Sequence, residues 1–246
     1  MTTSSARSSG TSEAGTHHGT REQPGSLSAA VDRMAENVKP RLRGWIHLGV
    51  TPFVIIASAV LVVLSPTPAA RWSCAVFGLT AILLFGTSAV YHRGRWSPGV
   101  SATLRRLDHT NIFLIIAGTY TPLAVLLLPY STARTLLIIA WSGALVGLLA
   151  RVFWLGAPRW VYVPVYVALG SVSVWYIPAF YRSGGAAIVF WIALGGLAYV
   201  LGAVVYGIKR PNPSPRWFGF HEIFHVLTVV GYGSHYVAVS MASYRS

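Results

Sequence analysis

Long apolar runs recur along most of this chain, with short polar stretches between them. After Gly44 we count seven such runs, at residues 45–65, 72–92, 107–128, 132–154, 161–181, 186–208 and 220–241. Each contains about 20 residues, the length with which an α-helix crosses the hydrocarbon core of a bilayer. The pattern therefore predicts an all-α integral membrane protein built as a bundle of seven transmembrane helices.

The polar stretches carry turn signals that fit these boundaries. "SPTPAAR", "RGRWSPGVSATLRR", "YRSGG" and "KRPNPSPRWFG" are rich in Pro, Gly and Ser, and such residues favour turns and loops. Trp and Tyr are frequent at the ends of the runs, as in the aromatic belts of membrane interfaces. We therefore predict loops at these stretches, including one at residues 93–106.

Residues 1–38 differ from the rest of the chain. They are rich in Ser, Thr, Gly and Ala and nearly free of large apolar side chains. Such a segment buries too little apolar surface to offset the entropy of ordering, and it lacks the apolar region of a signal peptide. We expect a disordered or membrane-surface tail at residues 1–38, followed by a membrane domain at residues 39–246.

The composition agrees with a membrane protein. Hydrophobic residues make up 54% of the chain and charged residues only 10%, whereas soluble domains contain about 25% charged residues. The mean hydropathy is +0.56. The net charge of +13 comes mainly from basic residues in short loops. Because no basic stripe lies on a soluble domain, anionic lipid headgroups are the expected partner rather than nucleic acid.

Basic residues are distributed unevenly between the two sides of the predicted bundle. One side has 13 of them, and the other has only four, Arg71, Arg134, Arg182 and Arg245. The positive-inside rule places the more basic side in the cytoplasm. The N-terminus is therefore predicted to be cytoplasmic and, after seven crossings, the C-terminus to be outside.

Few ionisable residues lie in the apolar runs, where such residues are costly and usually functional. After Gly44 the carboxylates are Asp108 and Glu222, and the histidines are His47, His92, His109, His221, His225 and His235. In the predicted topology all of them except His235 lie at the cytoplasmic ends of their spans. Four spans thus bring titratable side chains to one membrane depth.

Three of these histidines have a spacing typical of a metal site. His221 and His225 are four residues apart and share one helical face, and His92 ends another span at the same depth. A catalytic zinc typically has three protein ligands, such as imidazoles, and a fourth position that is open to water. We therefore predict that these histidines bind Zn²⁺. Asp108 would orient the water or take its proton. Ser88, one turn before His92, would hydrogen-bond to a ligand or to the reacting oxygen.

Alternatives are open for several of these residues. The segment His221–His225 also fits the H-E-x-x-H motif of metalloproteases, in which Glu222 is the general base. That interpretation leaves His92 without a role, and Glu222 at this position is equally able to point toward the headgroups. Ser88 is able to hydrogen-bond to a carbonyl of its own helix. Interhelical hydrogen bonds, rather than metal binding, are expected for His47, His109 and His235.

Three blocks, "FGTSAVYHRGRWSP", "RRLDHTNIFLIIAGTYTPL" and "GFHEIFHVLTVVGYGSHYVAV", resemble the hemolysin III family, the bacterial branch of the progestin and adipoQ receptor superfamily. The resemblance covers roughly residues 38–243. It implies seven transmembrane helices, a cytoplasmic N-terminus and a location in the cell inner (plasma) membrane. It also implies zinc ligation by His92, His221 and His225, with Asp108 matching the aspartate that interacts with the zinc-bound water and Ser88 matching the family's serine.

This resemblance leaves three functional hypotheses. Eukaryotic relatives are associated with ceramide hydrolysis, so the first is a zinc-dependent hydrolase of an amide or ester of a membrane lipid. The bacterial branch is linked to membrane homeostasis, and the second is a non-enzymatic regulator of membrane stress with a structural zinc. The third is a pore-forming haemolysin, against which the uniformly apolar spans argue. Oligomeric state stays open, because Gly195, Gly196 and Gly202 fit packing within the bundle or in a dimer.

Overall fold

A computed structural model of the protein describes residues 40–154, 157–214 and 216–246. The tail predicted at residues 1–38 lies outside these ranges. The described residues form seven α-helices and one short 3₁₀-helix, with no β-strand beyond an isolated bridge between Ser214 and Phe218. The predicted all-α architecture is confirmed.

The helices follow one another with short connections. They are α1 (Trp45–Leu64), α2 (Pro68–Arg93), α3 (Pro98–Leu127), α4 (Tyr130–Phe153), α5 (Arg159–Ser171), the 3₁₀-helix (Val172–Tyr176), α6 (Ile177–Ile208) and α7 (Phe220–Ser243). Within the described ranges, six helical stretches are long and apolar enough to cross a membrane. Six stretches are found instead of the seven predicted spans because α5, the 3₁₀-helix and α6 form one stretch of 50 residues, Arg159–Ile208.

This long stretch is not straight. Its helical geometry is broken at Gly185, where φ is 78° and ψ is 177°, a conformation that glycine adopts easily and other residues avoid. The Arg159 guanidinium donates a hydrogen bond to the carbonyl oxygen of Tyr206 at 3.1 Å, across 47 positions of sequence. A straight helix would separate these two residues by about 70 Å, so α5 and the second part of α6 lie side by side.

The beginning of α3 differs from the prediction. The loop expected at residues 93–106 is mostly helical, since α3 begins at Pro98. Proline is well suited to the first turn of a helix, where its missing N–H is not needed. The dipeptide Ser97-Pro98 is thus a helix start rather than a turn, and Asp108 lies inside α3 instead of at its beginning.

The helices pack mainly against their neighbours in sequence, and α7 closes the bundle by contacting α1, α2, α3 and α6. The buried core contains Phe77, Phe85 and Tyr232, whose rings contact one another. Large apolar side chains such as Phe53, Val63 and Phe190 are exposed on the outside of the bundle. An exposed apolar surface of this kind is what acyl chains solvate in a membrane.

Glycine allows close helix contacts inside this bundle. A Cβ atom added to Gly118 of α3 would collide with Thr80 of α2, and one added to Gly195 of α6 would collide with the His235 ring of α7. Gly202 also faces α7, at Phe224 and Leu227. Small residues at such contacts bring helix backbones together where the hydrophobic effect offers no driving force. Gly195 and Gly202 therefore mediate the packing of α6 against α7 within one chain.

Candidate metal site

The predicted site residues come together at one end of the bundle. His92 lies in the last turn of α2, Asp108 near the middle of α3, and His221 and His225 in the first turns of α7. The segment before α1 fixes the start of α7, because the N–H groups of Arg41 and Leu42 donate to the carbonyls of Arg216 and Trp217. Two consecutive helices, α2 and α3, and the distant α7 thus supply side chains to one place.

The three histidines are close enough to hold one metal ion. One nitrogen from each of His92, His221 and His225 lies within 4.8 Å of the other two. The Nε2 atoms of His92 and His221 are 3.3 Å apart. In a tetrahedral zinc site with Zn–N bonds of about 2.0–2.1 Å, neighbouring nitrogens are also about 3.3 Å apart.

The donor chemistry of the cluster also fits zinc. His225 is 2% exposed, and its Nδ1 has no hydrogen-bond partner in the described part of the chain. A buried polar atom without a hydrogen bond is rare, and an imidazole nitrogen left in this state is available as a ligand. Neutral imidazoles are ligands that zinc prefers.

Asp108 and Ser88 lie beside the histidines. The Asp108 carboxylate is 3.7 Å from Nε2 of His92, so it faces the cluster without a direct hydrogen bond. The Ser88 hydroxyl lies beside the Asp108 carboxyl group and makes no hydrogen bond to a carbonyl of its own helix. The alternative in which Ser88 bonds to a carbonyl of its own helix is therefore not observed.

Glu222 does not point toward the headgroups, so this alternative is not observed. Its side chain is fully buried. The Nε of Arg43 donates to one carboxylate oxygen at 3.0 Å, and the N–H of Gly219 donates to the other at 2.8 Å. Both oxygens thus cap α7 and pair with Arg43, which gives Glu222 a structural role and argues against its use as the base of a metalloprotease.

His47 of α1 lies beside the cluster, at the membrane depth that the sequence predicted, although its contact with His225 was not predicted. Its ring stacks on that of His225, with 3.9 Å between the ring centroids and an angle of 14° between the planes. Both of its ring nitrogens are buried. His47 thus contacts α7 through its ring, and the stacked ring limits the orientation of His225.

His109 and His235 behave as expected. One ring nitrogen of His109 donates to the carbonyl of Arg105 at 2.9 Å, and the other lies 3.5 Å from the Tyr206 hydroxyl of α6. The Nε2 of His235 donates to the carbonyl of Ile192 in α6 at 3.1 Å. Both histidines thus make interhelical contacts outside the three-histidine cluster.

A cavity of about 370 Å³ extends from this cluster into the bundle. Asp108, His221 and His225 line it at one end, and most of the wall is formed by apolar side chains of α3, α5 and α6, such as Ile116 and Val167. Cavities of this size with an apolar wall and a few polar groups are typical ligand sites. The arrangement fits a ligand with a long hydrocarbon part and a polar group at the histidines.

The fold and this site define an all-α, multi-pass membrane protein with a histidine cluster at the end of an apolar cavity. A model of haemolysin-III-related proteins matches residues 35–236, most of the chain, and the chain belongs to that family. It is 28% identical to a hemolysin-3 homolog of Bacillus subtilis over 188 residues, which are 74% of this chain and 88% of that protein.

Two further relatives extend this comparison. The chain is 26% identical to hemolysin-3 of Bacillus cereus over 209 residues, covering 83% of this chain and 92% of that protein. It is 28% identical to an adiponectin receptor protein of Drosophila melanogaster over 193 residues, covering 69% of this chain and 42% of the receptor. The family therefore lies within the progestin and adipoQ receptor superfamily, as the sequence blocks indicated.

The Arg43–Glu222 pair generates a stability prediction. In Arg43→Gln the Glu222 carboxylate stays buried without its cation, so we expect the protein to lose about 3 kcal/mol of stability. Glu222→Gln keeps the volume and an oxygen for the Gly219 N–H, and should cost less. The double variant should recover part of the Arg43→Gln loss. Thermal unfolding of the three purified variants measures this, and an Arg43→Gln protein as stable as wild type would contradict it.

Proposed function

We propose that this protein is a zinc-dependent membrane hydrolase that cleaves an amide or ester of a membrane lipid. The observation that carries the proposal is the position of the three-histidine cluster and Asp108 at one end of a largely apolar cavity, which Asp108, His221 and His225 line. The cavity holds the hydrocarbon part of the lipid, so the bond to be cleaved lies at the histidines. A regulator that needs zinc only to join helices would not need Asp108 facing an apolar ligand cavity.

Each residue has a role in this proposal. His92, His221 and His225 hold the ion, which supplies a Lewis acid and lowers the pKa of a water molecule. Asp108, 3.7 Å from His92, orients that water and accepts its proton. The Ser88 hydroxyl, which lies beside Asp108, hydrogen-bonds to Asp108 or to the carbonyl oxygen of the substrate. His47 keeps the His225 ring in place by stacking.

We further propose seven crossings of the cell inner (plasma) membrane, with the N-terminus in the cytoplasm and the C-terminus outside. The side-by-side contact of Arg159 with Tyr206 and the break at Gly185 support two crossings within the 50-residue stretch. The excess of Arg and Lys on one side supports the orientation.

Lipid enters sideways between helices from the cytoplasmic leaflet, and cleavage contributes to membrane homeostasis.

Zinc content tests the ligand assignment. Purified wild-type protein should contain about one zinc per chain, and His92→Ala and His225→Ala should each lose most of it because two imidazoles bind zinc far more weakly than three. Elemental analysis after dialysis measures this. His109→Gln is a matched control, since His109 is buried nearby but outside the cluster, and it should keep its zinc. Equal zinc in all four proteins would contradict the assignment.

Asp108→Asn distinguishes the enzyme from the regulator. The amide keeps the size of the side chain but cannot take a proton, so zinc should stay bound while lipid hydrolysis falls about 100-fold or more. Release of fatty acid from a panel of lipid amides and esters measures hydrolysis. Glu222→Gln serves as the control and should stay active, because Glu222 is used for capping and pairing.

Two other outcomes of the hydrolysis assay favour the rival functions. A zinc-loaded wild type that cleaves no lipid in the panel, with membrane-fluidity phenotypes that depend on the histidines but not on Asp108, favours the regulator. Leakage from liposomes that persists after chelation and after histidine substitution favours a pore-forming haemolysin.

Reporter fusions test the topology. An alkaline phosphatase fused after Ser246 should be active, because the enzyme folds only outside the cytoplasm, whereas one fused between α6 and α7, at Asn212, should be inactive. A green fluorescent protein at the same positions should show the opposite pattern. Active phosphatase at Asn212 would contradict the proposed orientation.

A further inference from the structure

The cavity has a second pair of polar side chains that the proposed hydrolysis does not use. Tyr199 of α6 and His235 of α7 both line it, and their ring centroids are 5.5 Å apart. His235 is ten residues beyond His225 on the same helix, which corresponds to about 15 Å along its axis. This distance is about half of the 30 Å hydrocarbon core, so the pair lies far from the metal cluster in an apolar environment.

Each of the two side chains has a buried polar atom that is unsatisfied. The Tyr199 hydroxyl and the Nδ1 of His235 have no hydrogen-bond partner among the described residues, and His235 is only 9% exposed. Leaving such a group unpaired is costly, so native proteins rarely do so without a reason. Two such groups on neighbouring rings that line one cavity indicate that a ligand supplies the missing partners.

The hydrogen-bonding character of the pair follows from its contacts. The Nε2 of His235 lies 3.1 Å from the carbonyl oxygen of Ile192, and because a carbonyl oxygen only accepts, Nε2 carries the proton. A histidine at this depth is neutral, since a charge there is costly, and its Nδ1 is therefore an acceptor. Tyr199 is able to donate from its hydroxyl. The pair thus offers one donor and one acceptor.

We propose that Tyr199 and His235 form a second polar subsite, which binds a hydroxyl group carried on the hydrocarbon chain of the ligand. A ligand hydroxyl accepts from Tyr199 and donates to Nδ1 of His235, so both unsatisfied atoms gain a partner at once. The subsite rests on the proposed function, because it takes the cavity to hold an acyl chain whose carbonyl end is at the histidines. It narrows the substrate class to lipids with a hydroxylated acyl chain.

The position of His235 is fixed by close packing. Gly195 lies so near the His235 ring that a side chain at this position would collide with it, and the bond to Ile192 fixes the ring rotation. The acceptor nitrogen is therefore held in place before a ligand arrives, which lowers the entropy lost on binding. A preorganised acceptor of this kind selects for a hydrogen-bond donor at one position along the hydrocarbon chain of the ligand.

Binding of two matched fatty acids tests the subsite. Stearate and 12-hydroxystearate differ by one hydroxyl, placed well along the chain from the carboxylate. Zinc-loaded wild-type protein in detergent should bind 12-hydroxystearate roughly tenfold more tightly than stearate, because the hydroxyl satisfies two buried polar groups. Competition against a fluorescent fatty acid measures both dissociation constants.

Two tyrosine variants complete the experiment. Tyr199→Phe removes the donor and should abolish most of the preference, without lowering the melting temperature of the ligand-free protein, since the lost hydroxyl has no partner there. Tyr232→Phe is the control: it removes another buried tyrosine hydroxyl, but Tyr232 does not line the cavity. It should keep the tenfold preference.

The outcomes separate the subsite from the hydrolase proposal. Equal binding of the two fatty acids by wild type overturns the subsite and leaves the acyl-chain cavity standing. A preference that Tyr199→Phe retains also overturns the subsite. Binding of neither fatty acid overturns the acyl-chain cavity, and the subsite falls with it.

Discussion

Polar side chains inside a membrane protein must find partners within the bundle, because the hydrocarbon around it offers none. In this protein the buried hydroxyls and the imidazoles meet this requirement in different ways. Most of the buried hydroxyls bond to carbonyls of their own helices, as Thr119 and Thr121 do. The imidazoles at the ends of α2 and α7 instead converge on one another, which is a stable arrangement when a cation lies between them. The proposed chemistry depends on this convergence.

The rest of the structure holds that arrangement in place. Glu222 directly follows His221 in the first turn of α7, and its pairing with Arg43 connects α7 to the segment before α1. Asn111 donates to the carbonyl of Leu83 at 2.8 Å, which fixes α3 against α2 near Asp108. These contacts join the helices that carry the histidines and the carboxylate, so the geometry of the cluster does not depend on the ion alone.

Much of this site could be predicted from the sequence. The 3.6-residue period places His221 and His225 on one face, and the distribution of Arg and Lys assigns both of them and His92 to one membrane side. These local signals predict that the three histidines lie at the same membrane depth. Their meeting at one point depends on how α2 and α7 pack, and the resemblance to a known family supplied that information in advance.

The features that were missed depend on contacts between distant parts of the chain. Glu222 pairs with Arg43 across 179 positions, and His47 stacks on His225; neither leaves a pattern in the local sequence. The spacing of Gly219 and Glu222 at the start of α7 was a usable signal, since a glutamate at the third helical position often caps the helix. The start of α3 was missed because Ser-Pro signals both a turn and a helix beginning.

X-ray absorption at the zinc edge, measured on the purified protein, tests the central claim most directly. The account predicts three imidazole nitrogens and one oxygen ligand at about 2.0–2.1 Å, with the multiple-scattering pattern of histidine reduced in His92→Ala and His225→Ala. A spectrum without imidazole scattering, or one that neither substitution changes, would contradict it.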